Sequence, residues 1–323
     1  MPQIISITDS NALQKACEFL DAGLPIAIPT ETVYGLAVDA RNPSAIRRLY
    51  EIKKRPTINP LICHASSIPM IEKYVHIDYL SFNLAKLFWP GPLTIVLDLL
   101  EKNDIHPLAT ANLKTACFRI PCGFSKKLIN AYGHPLTMPS ANISGQISIT
   151  NIKHILSSPI SKEIPLIIDG GISKIGLEST IIKVKCDKRI QVLRPGGLEI
   201  ERIKKAINKE LEYFEEISNP QSPGMLTSHY APQCCVRLRA THVNPGEALI
   251  SFGNFQIKNI ENAIISLNLS KKGKLQEAAF NLFNYMKTAD DSGASSIAFS
   301  PIPNHGLGIA INNRLERAAA PRN

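Results

Sequence analysis

The sequence predicts an α/β protein built as two domains, and three observations lead there. Its 323 residues exceed what one hydrophobic core usually serves, while an apolar content of 44% and a mean hydropathy of about zero are those of a soluble globule. Short apolar runs of strand length alternate with amphipathic stretches of helical period. An interval from Tyr213 to Gln233 keeps no period and separates two such series. The division expected is a first domain over 1–212, a linker over 213–233 that lies across the first domain's cleft as a lid, and a smaller domain over 234–323.

Residues 11–22 place Leu13, Ala16, Cys17 and Leu20 at helical spacing, with Ser10 or Asn11 as cap and Gly23 past the end. Pro25 to Pro29 reads as a buried strand, which breaks at the polar run Pro29-Thr-Glu-Thr-Val-Tyr-Gly35. Pro43-Ser44 opens a second helix with Ile46, Leu49 and Ile52 on its apolar face. That helix delivers Lys53, Lys54 and Arg55 from its C-terminal end, where the dipole favours cations; taken alone the run reads as a solvated basic turn, a reading that the order of this and later segments reverses. Leu61-Ile-Cys is the next strand. Hydroxyls, a carboxylate and a phenol thus stand one crossover from a cationic loop, a set suited to a small zwitterion held beside a polyphosphate.

A helix near Leu80 to Phe88 must stop at Trp89-Pro-Gly-Pro92, and the strand Leu93 to Leu99 follows. Thr115 to Pro121 is a strand interrupted by one cation, Arg119, which needs an anionic partner or a place at a site or an edge. Leu136 to Ser148 passes from strand into a loop dense in hydroxyls and amides, of the kind that cradles phosphates or simply turns. A helix over 150–157, a strand ending in Asp169-Gly-Gly171, a strand after Glu178-Ser-Thr180, a strand ending at Arg194 and a charged helix from Leu198 to Glu212 complete the domain.

From Cys234 the chain shows strands at Val236–Leu238, Ala248–Phe252, Ala263–Leu267 and Ser296–Phe299. Between them a strong helix, Lys274 to Thr288, carries Leu275, Ala278, Ala279, Leu282, Phe283 and Met286 on one stripe, and a final helix runs from Gly308 to Ala320. This pattern predicts a small α/β domain with a largely parallel sheet and, lacking chemistry of its own, a structural or regulatory role.

Composition narrows the function classes. The net charge of +9 sits in the first part: residues 1–208 hold 25 Lys and Arg against 17 Asp and Glu, and 209–323 hold 11 against 10. Such an excess suits polyanionic partners, nucleotide phosphates or RNA. No apolar run reaches the ~20 residues that span a bilayer, and Met1-Pro-Gln-Ile lacks a leader's basic start, so a cytoplasmic location without membrane partners is expected. The seven cysteines are scattered without Cys-x-x-Cys spacing, which predicts buried reduced thiols and no metal site. Neither a P-loop nor a Gly-x-Gly-x-x-Gly fingerprint occurs.

Eleven short motifs stand in order: Pro29-Thr-Glu-Thr-Val-Tyr-Gly-Leu36, Lys53-x-Arg55-Pro56, Asn59-Pro-Leu-Ile-x-His64, Trp89-Pro-Gly-Pro-Leu-Thr94, Arg119-x-Pro121, Ser140-Ala-Asn142-x-Ser-Gly145, Asp169-Gly-Gly171, Glu178-Ser-Thr180, Leu193-Arg-Pro-Gly196, Ser222-Pro-Gly-Met225 and His229-Tyr-Ala-Pro232. In this order they resemble the YrdC-like family, in the longer two-domain form whose members make threonylcarbamoyl-AMP for tRNA modification. The resemblance implies a twisted open mixed sheet with flanking helices plus a smaller Rossmann-like domain. It implies a nucleotidyltransferase that joins L-threonine, bicarbonate and ATP, releases pyrophosphate, and supplies downstream tRNA threonylcarbamoyl-transfer proteins without itself needing to bind RNA. Mg²⁺ is implied with the ATP.

Carried over by motif, the resemblance puts L-threonine near Thr32, His64, Arg119, Met138 and Ser179, with Arg119 meeting its carboxylate. ATP falls near Arg55, Asn59, Thr115, Ser140, Ser148 and Arg194, with His229 and Tyr230 closing over it from the linker. Lys53, Arg55, Ser140 and Asn142 form the family's catalytic signature. The sequence departs from the family pattern at Ala37, at Cys122-Gly123, at Leu226 and at Asn313. The competing reading is a non-catalytic RNA-binding module that uses the basic first domain; it lacks a visible aromatic stacking platform.

Overall fold

The computed structural model describes residues 1–208, 210–213, 222–223 and 229–321. The first domain begins β1 (Gln3–Ser6), α1 (Ala12–Asp21), β2 (Ile26–Ile28), β3 (Gly35–Asp39), α2 (Pro43–Lys53) and β4 (Ile62–His64). It continues through α3 (Ile68–Ile71), β5 (Val75–His76), α4 (Tyr79–Phe88), β6 (Leu93–Leu99), β7 (Thr115–Arg119), α5 (Phe124–Tyr132) and β8 (Leu136–Thr137). It ends with α6 (Ile152–Leu156), β9 (Leu166–Asp169), β10 (Thr180–Val184), β11 (Ile190–Arg194), α7 (Ile200–Ile207) and β12 (Glu212–Tyr213). The second domain contains β13 (Cys235–Arg237), β14 (Ala248–Ser251), β15 (Ile265–Asn268), α8 (Leu275–Asp290), β16 (Ser296–Phe299) and α9 (Leu307–Ala319).

The first-domain strands form one mixed sheet in the order β1-β9-β2-β3-β8-β4-β7-β6-β10-β11-β12, with β5 beside β6. Its registers decide where the chemistry can gather. β4 and β7 run parallel with His64 opposite Arg119, and β10 pairs with β6 through Thr180 and Leu93. β11 returns antiparallel, with Arg194 opposite Ile181. The ends of β4, β7 and β11 and the starts of β6 and β10 therefore share one edge, and the loops leaving that edge carry the polar motifs.

Several expectations are corrected here. β1, β3 and α5 carry no strong sequence signal: Gly35–Asp39, for one, is buried at every residue and so lacks alternation. The charged helix stops at Ile207, because Asn208 adopts φ 52°, and Glu212–Tyr213 extends the sheet instead. The basic turn is not solvated as a unit. Lys54 takes φ 49° as the helix cap and points out, whereas Lys53 and Arg55 are 1% and 8% exposed. The cysteines also divide: only Cys63 and Cys117 are buried, Cys186 and Cys235 are exposed, and none of the seven is in a disulfide.

The second domain is a four-stranded, all-parallel sheet in the order β13-β16-β14-β15. Every residue of the expected α8 stripe is buried. Its core does not end at the domain's own residues, since Val33, Ile147 and Leu177 of the first domain and Tyr230 of the linker belong to the same apolar cluster. Gly176 marks the closest approach: a Cβ there would lie 2.3 Å from the Ala279 carbonyl oxygen. Most of the linker expected over 213–233, including Leu226, falls outside the described residues.

Candidate active site

The polar run after β2 folds on itself because its threonines answer one another and the backbone. Thr30 Oγ1 bonds Thr32 Oγ1 at 2.8 Å and donates to the Val33 carbonyl at 2.6 Å. Tyr34 donates to the Gly171 carbonyl at 2.8 Å and accepts from Gly170 N–H at 3.0 Å, which ties the run to the Asp169-Gly-Gly171 turn. Burial pushes this phenol up to about 12, so it stays protonated as a donor.

The basic turn supplies one cation to the cavity and one to its frame. Lys53 Nζ donates to the carbonyls of Ser140 and Asn142, the latter at 2.5 Å, and so pins the 140–146 loop from behind. Burial and then the nearby Arg55 hold its ammonium well below the usual range. Arg55 Nη2 donates to Asn59 Oδ1 at 2.7 Å and to the Pro60 carbonyl at 2.8 Å, and its Nε to the Asn59 carbonyl. Burial lowers it to about 10, still charged at neutral pH.

At the strand ends, His64 Nδ1 lies 3.1 Å from the Ile62 carbonyl, and burial followed by Arg119 holds the imidazole neutral. Arg119 donates Nε to the Gly91 carbonyl at 3.2 Å and Nη2 to Glu31 Oε1 at 2.6 Å. Ser179 Oγ meets Thr94 Oγ1 at 2.7 Å, and Arg194 Nη2 bonds both the Ser179 carbonyl and its hydroxyl. Gly196 lets the 194–197 turn pass against this segment, for a Cβ there would meet the Glu178 carbonyl oxygen at 2.4 Å.

Thr32, Arg55, His64, Arg119, Met138, Ser140, Ser179, Arg194, His229 and Tyr230 line one cavity, together with Glu178. Ten of the expected site residues thus converge from eight separate stretches of sequence. The rest stand apart from its wall. Lys53 and Asn59 sit behind it, on Ser140 and Arg55 respectively. Thr115 begins the strand that Arg119 ends, about 13 Å away along the sheet. Asn142 and Ser148 face a neighbouring cavity of about 550 Å³ between the 142–149 loop, the linker and α8.

Sequence reasoning passed over two carboxylates and one cation. Glu31 neutralises Arg119, and Glu178 accepts from Ser148 Oγ on one oxygen and from Arg314 Nε at 2.8 Å on the other. Arg314, on α9, is fully buried and its guanidinium lies 4.9 Å from the centre of the Tyr230 ring. The signal available was the run Asn312-Asn-Arg-Leu-Glu-Arg, whose cation falls among apolar positions of helical spacing. Cys122, where the family pattern often has a histidine, donates its backbone N–H to Glu31 Oε2 at 3.0 Å and accepts from Ser125 Oγ on its carbonyl at 3.1 Å.

Residues 18–196 match the Sua5, YciO and YrdC family, described as telomere recombination, and residues 198–320 match the threonylcarbamoyl-AMP synthase C-terminal domain. The chain belongs to the Sua5/YciO/YrdC family. A threonylcarbamoyl-AMP synthase of Pyrococcus abyssi is 35% identical over 95% of this chain and 94% of its own, and one of Bacillus subtilis 31% identical over 98% and 95%. The crystal structure of P. abyssi Sua5 complexed with L-threonine superposes with a TM-score of 0.88 at 33% identity, over 98% of this chain and 97% of that one. The Sua5/YrdC two-domain architecture therefore holds along nearly the whole length, and the twisted mixed sheet with a second α/β domain is that of its relatives. Among the described residues no helix is long and apolar enough to cross a membrane.

Proposed function

We propose that this protein is a nucleotidyltransferase that joins L-threonine, bicarbonate and ATP into threonylcarbamoyl-AMP and pyrophosphate. The observation that carries the reading is that one cavity gathers both sets of residues assigned by the resemblance: Thr32, His64, Arg119, Met138 and Ser179, with the Arg119 charge balanced, are read as its amino-acid end, and Arg55, Ser140 and Arg194 as its nucleotide end. The first suits an amino acid, the second a triphosphate, and relatives of nearly full length bear the name of this reaction's product.

Chemically, the threonine amine adds to CO₂ from bicarbonate, and a carbamate oxygen of the resulting weak nucleophile attacks the α-phosphorus while pyrophosphate leaves. Charge accumulates on phosphate oxygens, so fixed guanidinium groups and hydroxyls can stabilise the transition state without a covalent intermediate on the protein. A neutral His64 can accept a hydrogen bond from the threonine hydroxyl, which an imidazolium cannot.

The cavity retains only about 50 Å³ with His229 and Tyr230 in its wall, far below the ~300 Å³ or more of ordinary ligand sites. His229 and Tyr230, at the end of the linker expected over 213–233, are therefore the residues that must move aside for ATP to enter, between a 1–212 and a 234–323 domain. Among the described residues no group of three or more His, Cys, Asp or Glu could hold a metal, and both carboxylates beside the cavity are committed to arginines. That donor set does not fit a resident ion, and Mg²⁺ belongs to the reaction as part of the ATP substrate. The product, a reactive mixed anhydride, is passed to the downstream tRNA threonylcarbamoyl-transfer proteins. RNA binding is not required, because Arg55, Arg119 and Arg194 are buried rather than displayed. The test is pyrophosphate release: it is expected only with threonine, bicarbonate and ATP together, and ATP consumption indifferent to threonine would overturn the reading.

A further inference from the structure

We propose that Glu31 is the positioning and specificity residue of the threonine end: it aims Arg119 and cancels its charge, so that this end takes a zwitterion and rejects phosphate. The inference rests on the reading of that end as the threonine subsite. Arg119 is 4% exposed, and a guanidinium at that depth needs a fixed counter-charge. Two bonds, Nε to the Gly91 carbonyl at 3.2 Å and Nη2 to Glu31 Oε1 at 2.6 Å, set the plane of the group. The cavity, which Arg119 lines and Glu31 does not, receives what remains.

Glu31 is itself held at three points. Oε1 takes Arg119, Oε2 accepts from Cys122 N–H at 3.0 Å, and its carbonyl accepts from Ile175 N–H at 2.8 Å. The side chain therefore joins the segment that carries Thr32 to the segment that carries Arg119, and fixes the distance between two expected contacts of one small ligand. Burial pushes its carboxyl up, but Arg119 and the Cys122 N–H more than offset this, and it is ionised at neutral pH.

The charge pattern follows. Arg119 with Glu31 sums to zero and His64 is neutral, so the threonine end has no net charge. The other end keeps Arg55 and Arg194, which donate to carbonyl and hydroxyl oxygens and an amide oxygen rather than to carboxylates. An unscreened Arg119 would make both ends attractive to a polyphosphate and allow it to bind in the wrong register. A zwitterion loses little from the screening, since its carboxylate still finds an oriented N–H donor.

The test uses the full-length enzyme and steady-state pyrophosphate release, with inorganic phosphate as the probe anion. Glu31→Gln is expected to raise the threonine KM about tenfold with the ATP KM within about twofold, and to make phosphate compete with threonine, where in the parent protein it competes with ATP alone. Glu31→Asp restores the charge but not the reach, and is expected to keep phosphate out of the threonine end while the threonine KM stays raised; it carries the test should Glu31→Gln fail to fold. A parallel rise of both KM values, or an unchanged threonine KM with no new phosphate competition, overturns the proposal. Arg119→Ala separates the two levels: if it leaves the threonine KM unchanged, the subsite reading itself is wrong, whereas a raised KM there with no effect of Glu31→Gln removes only the role of Glu31.

Discussion

Arg314 Nε lies 2.8 Å from Glu178 Oε2, so a residue of the last helix neutralises a carboxylate in the wall of the first domain's cavity. The same guanidinium donates Nη1 to the Pro195 carbonyl at 2.9 Å and faces the Tyr230 ring. Burial works against both charges, yet the pair leaves the Glu178 carboxyl below its ordinary value and the Arg314 guanidinium above its own. Removing Arg314 alone strands a buried anion. Arg314→Ala should destabilise the protein by about 3–5 kcal/mol in urea unfolding, and Glu178→Gln, which strands the Arg314 guanidinium in turn, by a comparable amount. Losses below about 1 kcal/mol in both variants would mean that the charge is not what matters.

Arg55→Ala tests both stability and function. A surface-loop cation would be dispensable to the fold, but Arg55 is buried and closes the 55–60 turn with three hydrogen bonds. The substitution takes the donor from Asn59 Oδ1 and should cost about 1–3 kcal/mol as well as raising the ATP KM. A variant with native stability and native ATP affinity would remove Arg55 from both roles.

Cutting the chain after Leu211 should do more than remove a lid. The fragment would expose Val33, Ile147 and Leu177, which are buried in the second domain's core, and would strip Arg314 from Glu178. Lower thermal stability and turnover reduced by at least roughly tenfold are expected. A fragment that melts and turns over as the whole protein does would make the second domain a passenger.

Two buried histidines set the acid limb of stability. Burial lowers His229 to about 3, and His64 also lies well below its ordinary value. Each is neutral in the folded state while the unfolded chain takes a proton below about 6.5, so the stability they protect is intact above that pH and is lost as pH falls. Between pH 6 and pH 4 the unfolding free energy should drop by about 1.4 kcal/mol per pH unit on account of His229, and His64 adds to the fall. In His229→Asn the slope should fall by about that amount, and an unchanged slope would show that His229 is charged in the fold.

The sequence by itself determined the fold class, the two domains, the cavity's donor types and most of their positions. Polar motifs interrupt apolar strands, and strand ends are where a sheet can present side chains without burying them unpaired. It also determined the α8 stripe, because helical spacing is a local property. Which residues reach the cavity was decided only in three dimensions. Lys53 and Arg55 stand two residues apart, and the left-handed cap at Lys54 sends one behind the 140–146 loop and the other into the wall. The partners Glu31 for Arg119 and Arg314 for Glu178 lie 88 and 136 residues apart. Charge pairing over such separations depends on which strand lies beside which and on how the two domains dock, and no local pattern of residues records either.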